Sequence, residues 1–189
     1  SGELEALNAL QLSWTHAKLP DAFCGSELNG VSIDIWDEDN PRWEQLAVCL
    51  NELRQMRWFR TRFDFHLYQK VLVAHTPEEV VGFLRLVIQE IGCDEGLPSR
   101  KMGSKALREG KILAFGVSPA YRKRGVGTTL LDRACIIGRC EGLFQLRAHS
   151  SGENTAAHRA LMNVGFGTHP IERRGDRKGG YFIKPLRDN

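Results

Sequence analysis

The sequence predicts a mixed α/β fold of the α+β kind, in which helices flank a mixed sheet. Three observations support this prediction. Strand and helix patterns alternate along the chain, with strand–loop–helix units in its second half. The length of 189 residues suits one domain. Apolar residues make up 42% and charged residues 26% of the chain, which excludes collagen, coiled coils and disordered proteins. We therefore expect residues 1–189 to form one domain, with residues 1–30 as a weakly patterned N-terminal extension.

The first half of the chain predicts a strand, a helix and a β-hairpin. Apolar and polar residues alternate over 31–36, as in a half-buried strand. A capping asparagine, a proline at the first helical position and apolar residues at helical spacing then predict one helix over about 41–57. The runs 65–74 and 80–91 are rich in β-branched and aromatic residues, and the turn residues of 76–79 between them complete a hairpin.

The middle of the chain combines a long loop with a strand and a helix. Residues 92–110 contain four glycines and one proline, and a loop of this length in a compact domain is usually functional or mobile. A buried strand is predicted over 111–117, and Gly116 within it marks a bulge. A helix follows, because Val126 and Ile137 belong to one apolar helical face.

The C-terminal part predicts two longer strands, a helix and a short strand. The pattern predicts a strand over 143–149 and a helix over about 153–163. After a short strand, turn residues over 174–179 lead to a last strand over 181–186.

Charge is distributed unevenly along the chain. Residues 1–99 carry 8 Lys and Arg against 16 Asp and Glu, whereas residues 100–189 carry 18 against 7. The overall net charge of +3 therefore hides a net −8 in the first half and a net +11 in the second. The basic half predicts contact with something anionic. A nucleic acid is one such partner, although the cations are scattered and no aromatic and basic stacking platform is visible.

Cysteine usage and the lack of targeting patterns predict a cytoplasmic protein. Five cysteines, an odd number with no CxxC pair, fit a reducing compartment. No basic region followed by an apolar core opens the sequence, so we expect no secretory signal. No apolar run approaches the roughly 18 residues of a membrane span. The six histidines lack zinc-ligand spacing, so we expect no metal site.

One motif places cations and glycines between a strand and the first turn of a helix. It reads Arg122-Lys123-Arg124-Gly125-Val126-Gly127. A helix N-terminus presents unpaired N–H groups and a positive dipole end, and glycines let a phosphate approach the backbone. A Walker A loop would need Lys-Ser/Thr after its last glycine, and a dinucleotide fingerprint would need a third glycine where Leu130 stands. The motif therefore predicts a phosphate-binding loop of another class.

Two stretches of the sequence resemble a known family. The run VSPAYRKRGVGTTLL resembles motif A of the GCN5-related N-acetyltransferase (GNAT) superfamily, whose pattern is Q/R-x-x-G-x-G/A after a strand. The run from Asn154 through Ala157 and Leu161 to Gly165-Phe166 resembles the family's motif B. Because both motifs occur in the family's order about 30 residues apart, the chain is identified as a member with a GNAT-like fold.

The resemblance implies acetyl-CoA as the cofactor and a central sheet that splays between the strands at 111–117 and 143–149. The pantetheine arm would lie in the splay beside the backbone of Phe115, Gly116 and Val117. The pyrophosphate would lie on the amides of Arg122, Lys123, Arg124, Gly125, Val126, Gly127 and Thr128. Asn154 would contact the cofactor arm from the next helix.

The resemblance also implies direct attack of an amine on the thioester, which needs a base and a proton donor. An amine with a pKa near 10 is about a thousandfold too protonated at pH 7. The family's usual proton donor is a tyrosine, and this sequence has Leu161 at that position. His158, one helical turn earlier, and Tyr181 are the candidate replacements, and Glu109 is the candidate base.

The acceptor is expected to be an amine-bearing small molecule or peptide. In this fold the first helices and the loop before the motif A strand wall the acceptor site, and here they hold the acids of 37–39, four aromatic residues and the loop 92–110. The aromatic residues are Trp58, Phe59, Phe63 and Phe65. An acidic, aromatic-lined wall would suit a cationic amine.

The sequence therefore leaves two classes of function open. The first is an acetyl-CoA-dependent N-acetyltransferase of a primary amine. The second is a catalytically weak or inactive GNAT domain that binds CoA as a sensor or partner module, which Leu161 favours. The sequence leaves open the length of the acyl chain and the oligomeric state, a homodimer included.

Overall fold

The computed structural model describes residues 28–150, 154–170 and 180–186. Most of the predicted N-terminal extension and the predicted turn at 174–179 lie outside the described residues. The described elements, in chain order, are β1 (Ser32–Trp36), α1 (Trp43–Glu52), α2 (Met56–Arg60), β2 (Tyr68–His75), β3 (Val80–Glu90), β4 (Lys101–Met102), β5 (Lys105–Ala106), β6 (Arg108–Val117), α3 (Val126–Cys140), β7 (Gln145–Ser150), α4 (Thr155–Asn163), β8 (Gly167–Pro170) and β9 (Gly180–Pro185).

Seven of these strands form one mixed sheet in the order β1-β2-β3-β6-β7-β9-β8. All neighbours in it are antiparallel except β6 and β7, which are parallel and joined through α3. The two shortest strands, β4 and β5, form a separate small hairpin. The predicted mixed α/β fold is confirmed.

The helices cover both faces of the sheet. Helices α3 and α4 close one face over a large apolar core that includes Leu84, Leu130 and Leu161. Helix α1 covers the other face over a smaller core that includes Leu50 and Phe83. None of the described helices combines the length and apolar character needed to cross a membrane.

The predicted single helix over 41–57 is wrong, because the chain forms two helices there. Arg54 takes a left-handed backbone with φ of 55° between α1 and α2. The N–H of Gln55 donates to the carbonyl of Leu50 at 2.9 Å, which closes α1 and redirects the chain. Apolar spacing continues across this break, so the periodicity alone could not locate it.

The predicted loop 92–110 is partly regular. It contains a 3-10 turn at Cys93–Glu95 and the β4–β5 hairpin, and β6 begins at Arg108 rather than at residue 111. The bulge in β6 lies at Leu113, which has no partner in the ladder, whereas Gly116 pairs with Phe83. Gly116 instead permits close packing, because a Cβ there would lie 2.9 Å from Leu53 Cδ1.

The sheet splays open between β6 and β7. The parallel ladder joins these strands only from Glu109–Gln145 to Ile112–Ala148. Beyond Ile112, β6 pairs with β3 alone, and the end of β7 pairs with β9 alone. The splay expected between these two strands is therefore present.

Candidate functional site

A cavity of about 320 Å³ occupies the splay between β6 and β7. Its walls come from both strands, from α4 and β9, and from the break between α1 and α2. The lining residues are Gln55, Trp58, Lys111, Ile112, Leu113, Phe115, Ala148, His149, Ser150, Asn154, Ala157, Leu161 and Tyr181. The cavity therefore draws residues from elements on both faces of the sheet.

Side chains on β6 alternate between the two faces. A Cβ on Gly110 would lie within 3.1 Å of Leu86, Leu143 and Leu146, which belong to the core under α3 and α4. Its neighbours Glu109 and Lys111 therefore face α1 and α2. The cavity thus has an α4 side and an α2 side, and Lys111 belongs to the α2 side.

The backbone of β6 beyond the splay fits an extended ligand arm. Phe115 lines the cavity, and Phe115, Gly116 and Val117 all pair with β3 on one edge only. On the other edge no described strand pairs with them. The Val117 carbonyl accepts Arg122 Nε, and the remaining polar groups on this edge can bind a ligand. These are the residues expected beside the pantetheine arm.

Helix α3 begins without a side-chain cap among the described residues. Gly125 precedes the helix with φ of 83°, a conformation that glycine adopts without strain. The N–H of Thr129 donates to the carbonyl of Gly125 at 2.9 Å, which is the first hydrogen bond of the helix. Among the described residues, the N–H groups of Val126, Gly127 and Thr128 have no intrahelical partner and can bind an anion.

Three exposed cations surround this helix start. Arg122 Nε donates to the carbonyl of Val117 at 2.9 Å, and the Arg124 guanidinium lies 5.3 Å from the Tyr121 ring centre. Lys123 takes a left-handed backbone with φ of 60°. Together with the free N–H groups, these side chains fit a diphosphate.

The predicted phosphate-binding loop adjoins the cavity through close packing. A Cβ on Gly127 would lie 3.3 Å from the Phe115 ring, and Phe115 lines the cavity. Helix α4 closes the opposite wall, where Asn154 lines the cavity while its Oδ1 accepts the N–H of Ala157 at 3.2 Å. Leu161 also lines this wall and is buried.

The structure separates the three predicted catalytic residues. Tyr181 lines the cavity. His158 does not line it. Its ring lies 4.9 Å from that of Phe182, and its buried Nε2 has no hydrogen-bond partner among the described residues. Glu109 is fully buried and is not among the described residues that line the cavity.

Glu109 is instead one end of a charged cluster. Its carboxylate accepts hydrogen bonds from Gln89 at 3.0 Å, Gln145 at 2.7 Å and Arg147 at 2.7 Å. The guanidinium of Arg147 lies 4.8 Å from the Tyr181 ring centre. The cluster therefore supports one wall residue of the cavity through a cation–π contact.

Asp94 completes this cluster from the 3-10 turn. Its Oδ2 accepts hydrogen bonds from Lys111 Nζ and from Arg147, both at 2.6 Å. Burial alone would raise the pKa of Asp94, but these two bonds outweigh it and lower the pKa to about 2. Burial likewise lowers the pKa of Arg147, but the charges of Glu109 and Asp94 outweigh it and raise the pKa. Both side chains are therefore ionised at neutral pH.

The structure adds His149, which the sequence reasoning missed. His149 is exposed, lines the cavity and lies with its ring 5.6 Å from Tyr181 in an edge-on contact. Histidine is the side chain whose ordinary pKa lies nearest to neutral. Its place near the end of the predicted strand 143–149, at the splay, could have indicated that it lines the site.

The expected acidic and aromatic wall is mostly elsewhere. The acids of 37–39 are exposed in a turn after β1, and Glu38 borders a second cavity with Trp43 and Phe59. Phe63 and Phe65 stack on each other at 5.1 Å and do not line the splay cavity. Of the expected wall, Trp58 alone lines it.

A buried arginine holds the segment that contributes Trp58. Arg85 is 1% exposed and donates to the backbone carbonyls of Trp58 and Thr61, both at 2.7 Å. Its Nε donates to Gln69 at 2.8 Å. Burial and the nearby charge of Arg62 lower the pKa of Arg85 to about 10, so it stays protonated at neutral pH.

Comparison with known proteins shows the family and the fold. A family model described as the acetyltransferase (GNAT) family matches residues 33–166. No curated protein matches the chain.

Three similar solved structures illustrate the fold. NAA60 from Arabidopsis thaliana in complex with acetyl-CoA superposes with a TM-score of 0.60, at 16% identity over 82% of this chain and 98% of that one. Naa50 from Arabidopsis thaliana with the bisubstrate analogue CoA-Ac-MVNAL gives 0.55, at 18% identity over 82% and 98%. The GNAT domain of S. lividans PAT gives 0.58, at 20% identity over 82% and 89%. With the family model matching most of its length, the chain belongs to the acetyltransferase (GNAT) family.

Proposed function

We propose that this protein is an acetyl-CoA-dependent N-acetyltransferase that acts on a primary amine of a small molecule or peptide. One observation carries the proposal: the splay cavity adjoins an uncapped helix N-terminus at one side and contains ionisable side chains at the other. The first feature suits a diphosphate, and the second suits proton transfer.

The residues of the splay fit acetyl-CoA part by part. The free N–H groups at the start of α3 and the cations Arg122, Lys123 and Arg124 would hold the diphosphate. The outward backbone of 115–117 and Asn154 would hold the extended arm. When bound, acetyl-CoA supplies an acetyl thioester: the amine nitrogen bonds to the acetyl carbon, the C–S bond breaks, and CoA leaves as the thiol.

Two cavity side chains account for the protons. We assign His149 to take a proton from the acceptor amine, since a neutral imidazole is a base suited to pH 7. We assign the Tyr181 hydroxyl to give a proton to the departing sulfur, in place of the tyrosine that Leu161 replaces. Proton loss from the amine and proton gain by the sulfur balance the reaction.

Glu109 and Arg147 act as positioning residues in this proposal. Glu109 holds Arg147 at 2.7 Å, and Arg147 lies against the Tyr181 ring at 4.8 Å. Because both are buried, the contact fixes the ring against the cavity. The carboxylate therefore acts through Arg147 on the tyrosine.

The similar structures support this class of reaction. NAA60 is described with acetyl-CoA, and Naa50 with an analogue that joins CoA to a peptide. Peptide amines are therefore among the acceptors to test. The alternative, a CoA-binding module without turnover, is favoured by Leu161, because a leucine cannot donate a proton.

Release of CoA thiol in the presence of primary amines tests the proposal. We expect acetyl-CoA to be consumed only when an amine is present, and Tyr181→Phe to lower kcat about 100-fold with an unchanged acetyl-CoA affinity, because the phenylalanine keeps the ring and lacks the proton. Tyr121→Phe, which alters a tyrosine outside the cavity, is the matched control.

Two results would count against the proposal. Tight binding of acetyl-CoA with no thiol release across amino acids, polyamines, aminoglycosides and peptide N-termini would favour the binding module. Unchanged turnover in Tyr181→Phe would remove Tyr181 from the reaction.

A further inference from the structure

The charged side chain in the lining of the cavity is a lysine. Among the described residues that line it, Lys111 is the one with a full charge at neutral pH, and no carboxylate lines it. The acids of 37–39, which would have attracted a cationic acceptor, lie in an exposed turn outside the cavity. A polycationic acceptor would therefore meet a like charge and no opposite one.

The Lys111 ammonium has donors to spare. Its Nζ donates to Asp94 Oδ2 at 2.6 Å, and that same oxygen also accepts from Arg147. An ammonium carries three donors, and the described residues provide a partner for one of them. The Lys111 side chain is 17% exposed and lines the cavity, where a ligand could accept from the other two donors.

Lys111 lies close to the point where β6 and β7 part. It pairs with Arg147 one residue before the ladder between β6 and β7 ends. It also faces α1 and α2, the side opposite the α4 wall that carries Asn154 and Leu161. An acceptor that enters from the α2 side would pass Lys111 at the point where the strands part.

The surrounding charges hold the Lys111 ammonium in place. Lys111 and Arg147 face the carboxylates of Asp94 and Glu109, and Arg147 also lies 3.6 Å from a carboxylate oxygen of Glu95. Asp94 is 8%, Glu109 0% and Glu95 50% exposed, and none of the three is among the described residues that line the cavity. The cluster therefore holds the Lys111 ammonium in a fixed position, from which its N–H groups can donate to a ligand.

We propose that the acceptor is an amine that also carries a carboxylate, and that Lys111 binds this carboxylate. The inference rests on the proposed function and adds the substrate class. A carboxylate would accept the two open donors in charge-assisted hydrogen bonds. A free amino acid and a peptide with an acidic residue near its N-terminus both supply this chemistry, and the experiment separates them.

Matched acceptor pairs test the inference. One arm compares glycine with glycinamide, and the other compares C-terminally amidated tripeptides with aspartate or asparagine at the second position. We expect kcat/KM to favour the carboxylate member of at least one pair about 10- to 100-fold in the wild type. Lys111→Met should bring that ratio close to one, and Lys111→Arg, which keeps the charge, should retain most of it.

Lys105→Met, in the exposed β4–β5 hairpin, is the control and should keep the wild-type ratio. Because each ratio compares two acceptors on the same enzyme, partial unfolding of a variant does not alter it. A wild-type ratio near or below one in both arms, or an unchanged ratio in Lys111→Met, would overturn the inference while the proposed function stands.

Binding separates the two proposals further. Calorimetric titration of the same acceptors into the protein loaded with CoA should show tighter binding of the carboxylate members. If this preference appears, depends on Lys111, and no acceptor is turned over, the inference holds and the proposed function fails. If neither turnover nor preferential binding appears, both fail.

Discussion

At the residue scale, Asp94 joins the two strands that border the splay. One carboxylate oxygen accepts from Lys111 on β6 and from Arg147 on β7, each at 2.6 Å. The side chain is 8% exposed, so both ion pairs are shielded from water. Asp94 thus fixes the 3-10 turn, Lys111 and Arg147 at once.

Asp94 should make stability depend on pH in acid. Its pKa is about 2 in the folded protein and 3.8 ordinarily, so the folded state favours the ionised form. The resulting stabilisation, about 2 kcal/mol, is present above pH 4 and is lost as the pH falls from 4 through 2. We expect Asp94→Asn to lower the free energy of unfolding by this amount at pH 7 and to converge with the wild type near pH 2.

Urea unfolding at several pH values measures this difference. Asp64→Asn, which changes an exposed acid, serves as the control and should follow the wild type. A difference between Asp94→Asn and the wild type that stays constant from pH 7 to pH 2 would contradict the ionic role.

Some of the site residues could be predicted from the local sequence, and others could not. The loop at 122–127 could be singled out from the sequence because its glycines and cations are contiguous and lie directly before a predicted helix. The cluster of Asp94, Glu109 and Arg147 could not, because its members are brought together across 53 residues by the pairing of β6 with β7. His149 could be predicted only by knowing where the ladder between β6 and β7 ends, which depends on the same pairing.

At the element scale, Arg85 connects the sheet to the wall that Trp58 contributes. It donates to the carbonyls of Trp58 and Thr61 at the end of α2, a helix of one turn with no buried residues. So short a helix has little stability of its own. The buried arginine therefore supplies much of what holds this wall.

Replacing Arg85 should loosen α2. Arg85→Met leaves two carbonyls and Gln69 without their donor, and we expect a loss of about 2–4 kcal/mol in the free energy of unfolding. Limited trypsin digestion should cut faster after Arg57 and Arg60. Arg62→Met, at an exposed position, should leave the rate of cutting there unchanged. Equal digestion rates in Arg85→Met and the wild type would contradict the anchoring role.

The centre of β6 depends on a glycine for close packing. A Cβ at Gly110 would lie 2.7 Å from Leu146 and 2.8 Å from Leu86. We expect Gly110→Ala to lower the free energy of unfolding by about 1–3 kcal/mol through overpacking. Gly167→Ala, a strand position where the nearest atom would be 3.8 Å away, is the control.

Denaturant unfolding of both glycine variants checks this expectation. Equal stabilities of Gly110→Ala and Gly167→Ala would show that the sheet accommodates the added methyl group.

The sequence predicted whether a segment is a helix or a strand more reliably than it predicted the residues where that element begins and ends. Alternation and β-branched residues located the long strands, since both are local properties. The break between α1 and α2 depends on the left-handed Arg54, and the bulge at Leu113 depends on pairing with β3, which leaves that residue out of register. Neither feature has a signature in the residue types at those positions.

At the scale of the whole molecule, the uneven charge follows the sheet order. The acidic half of the chain contributes β1, β2 and β3 at one side, and the basic half contributes β6, β7, β9 and β8 at the other. Three of the basic half's cations surround the start of α3, where we propose the diphosphate binds. In the proposed function, a cofactor rather than a nucleic acid accounts for part of the asymmetry.

Calorimetric titration of acetyl-CoA tests the central claim, that the splay and the start of α3 form its binding site. We expect saturable binding by the wild type and a loss of at least about 100-fold in affinity for Arg122→Glu combined with Gly125→Asp, which removes one cation and adds two carboxylates at the helix start. Arg139→Glu, at the exposed far end of the same helix, should bind as the wild type does. Equal affinity of the wild type and the double variant would contradict the account.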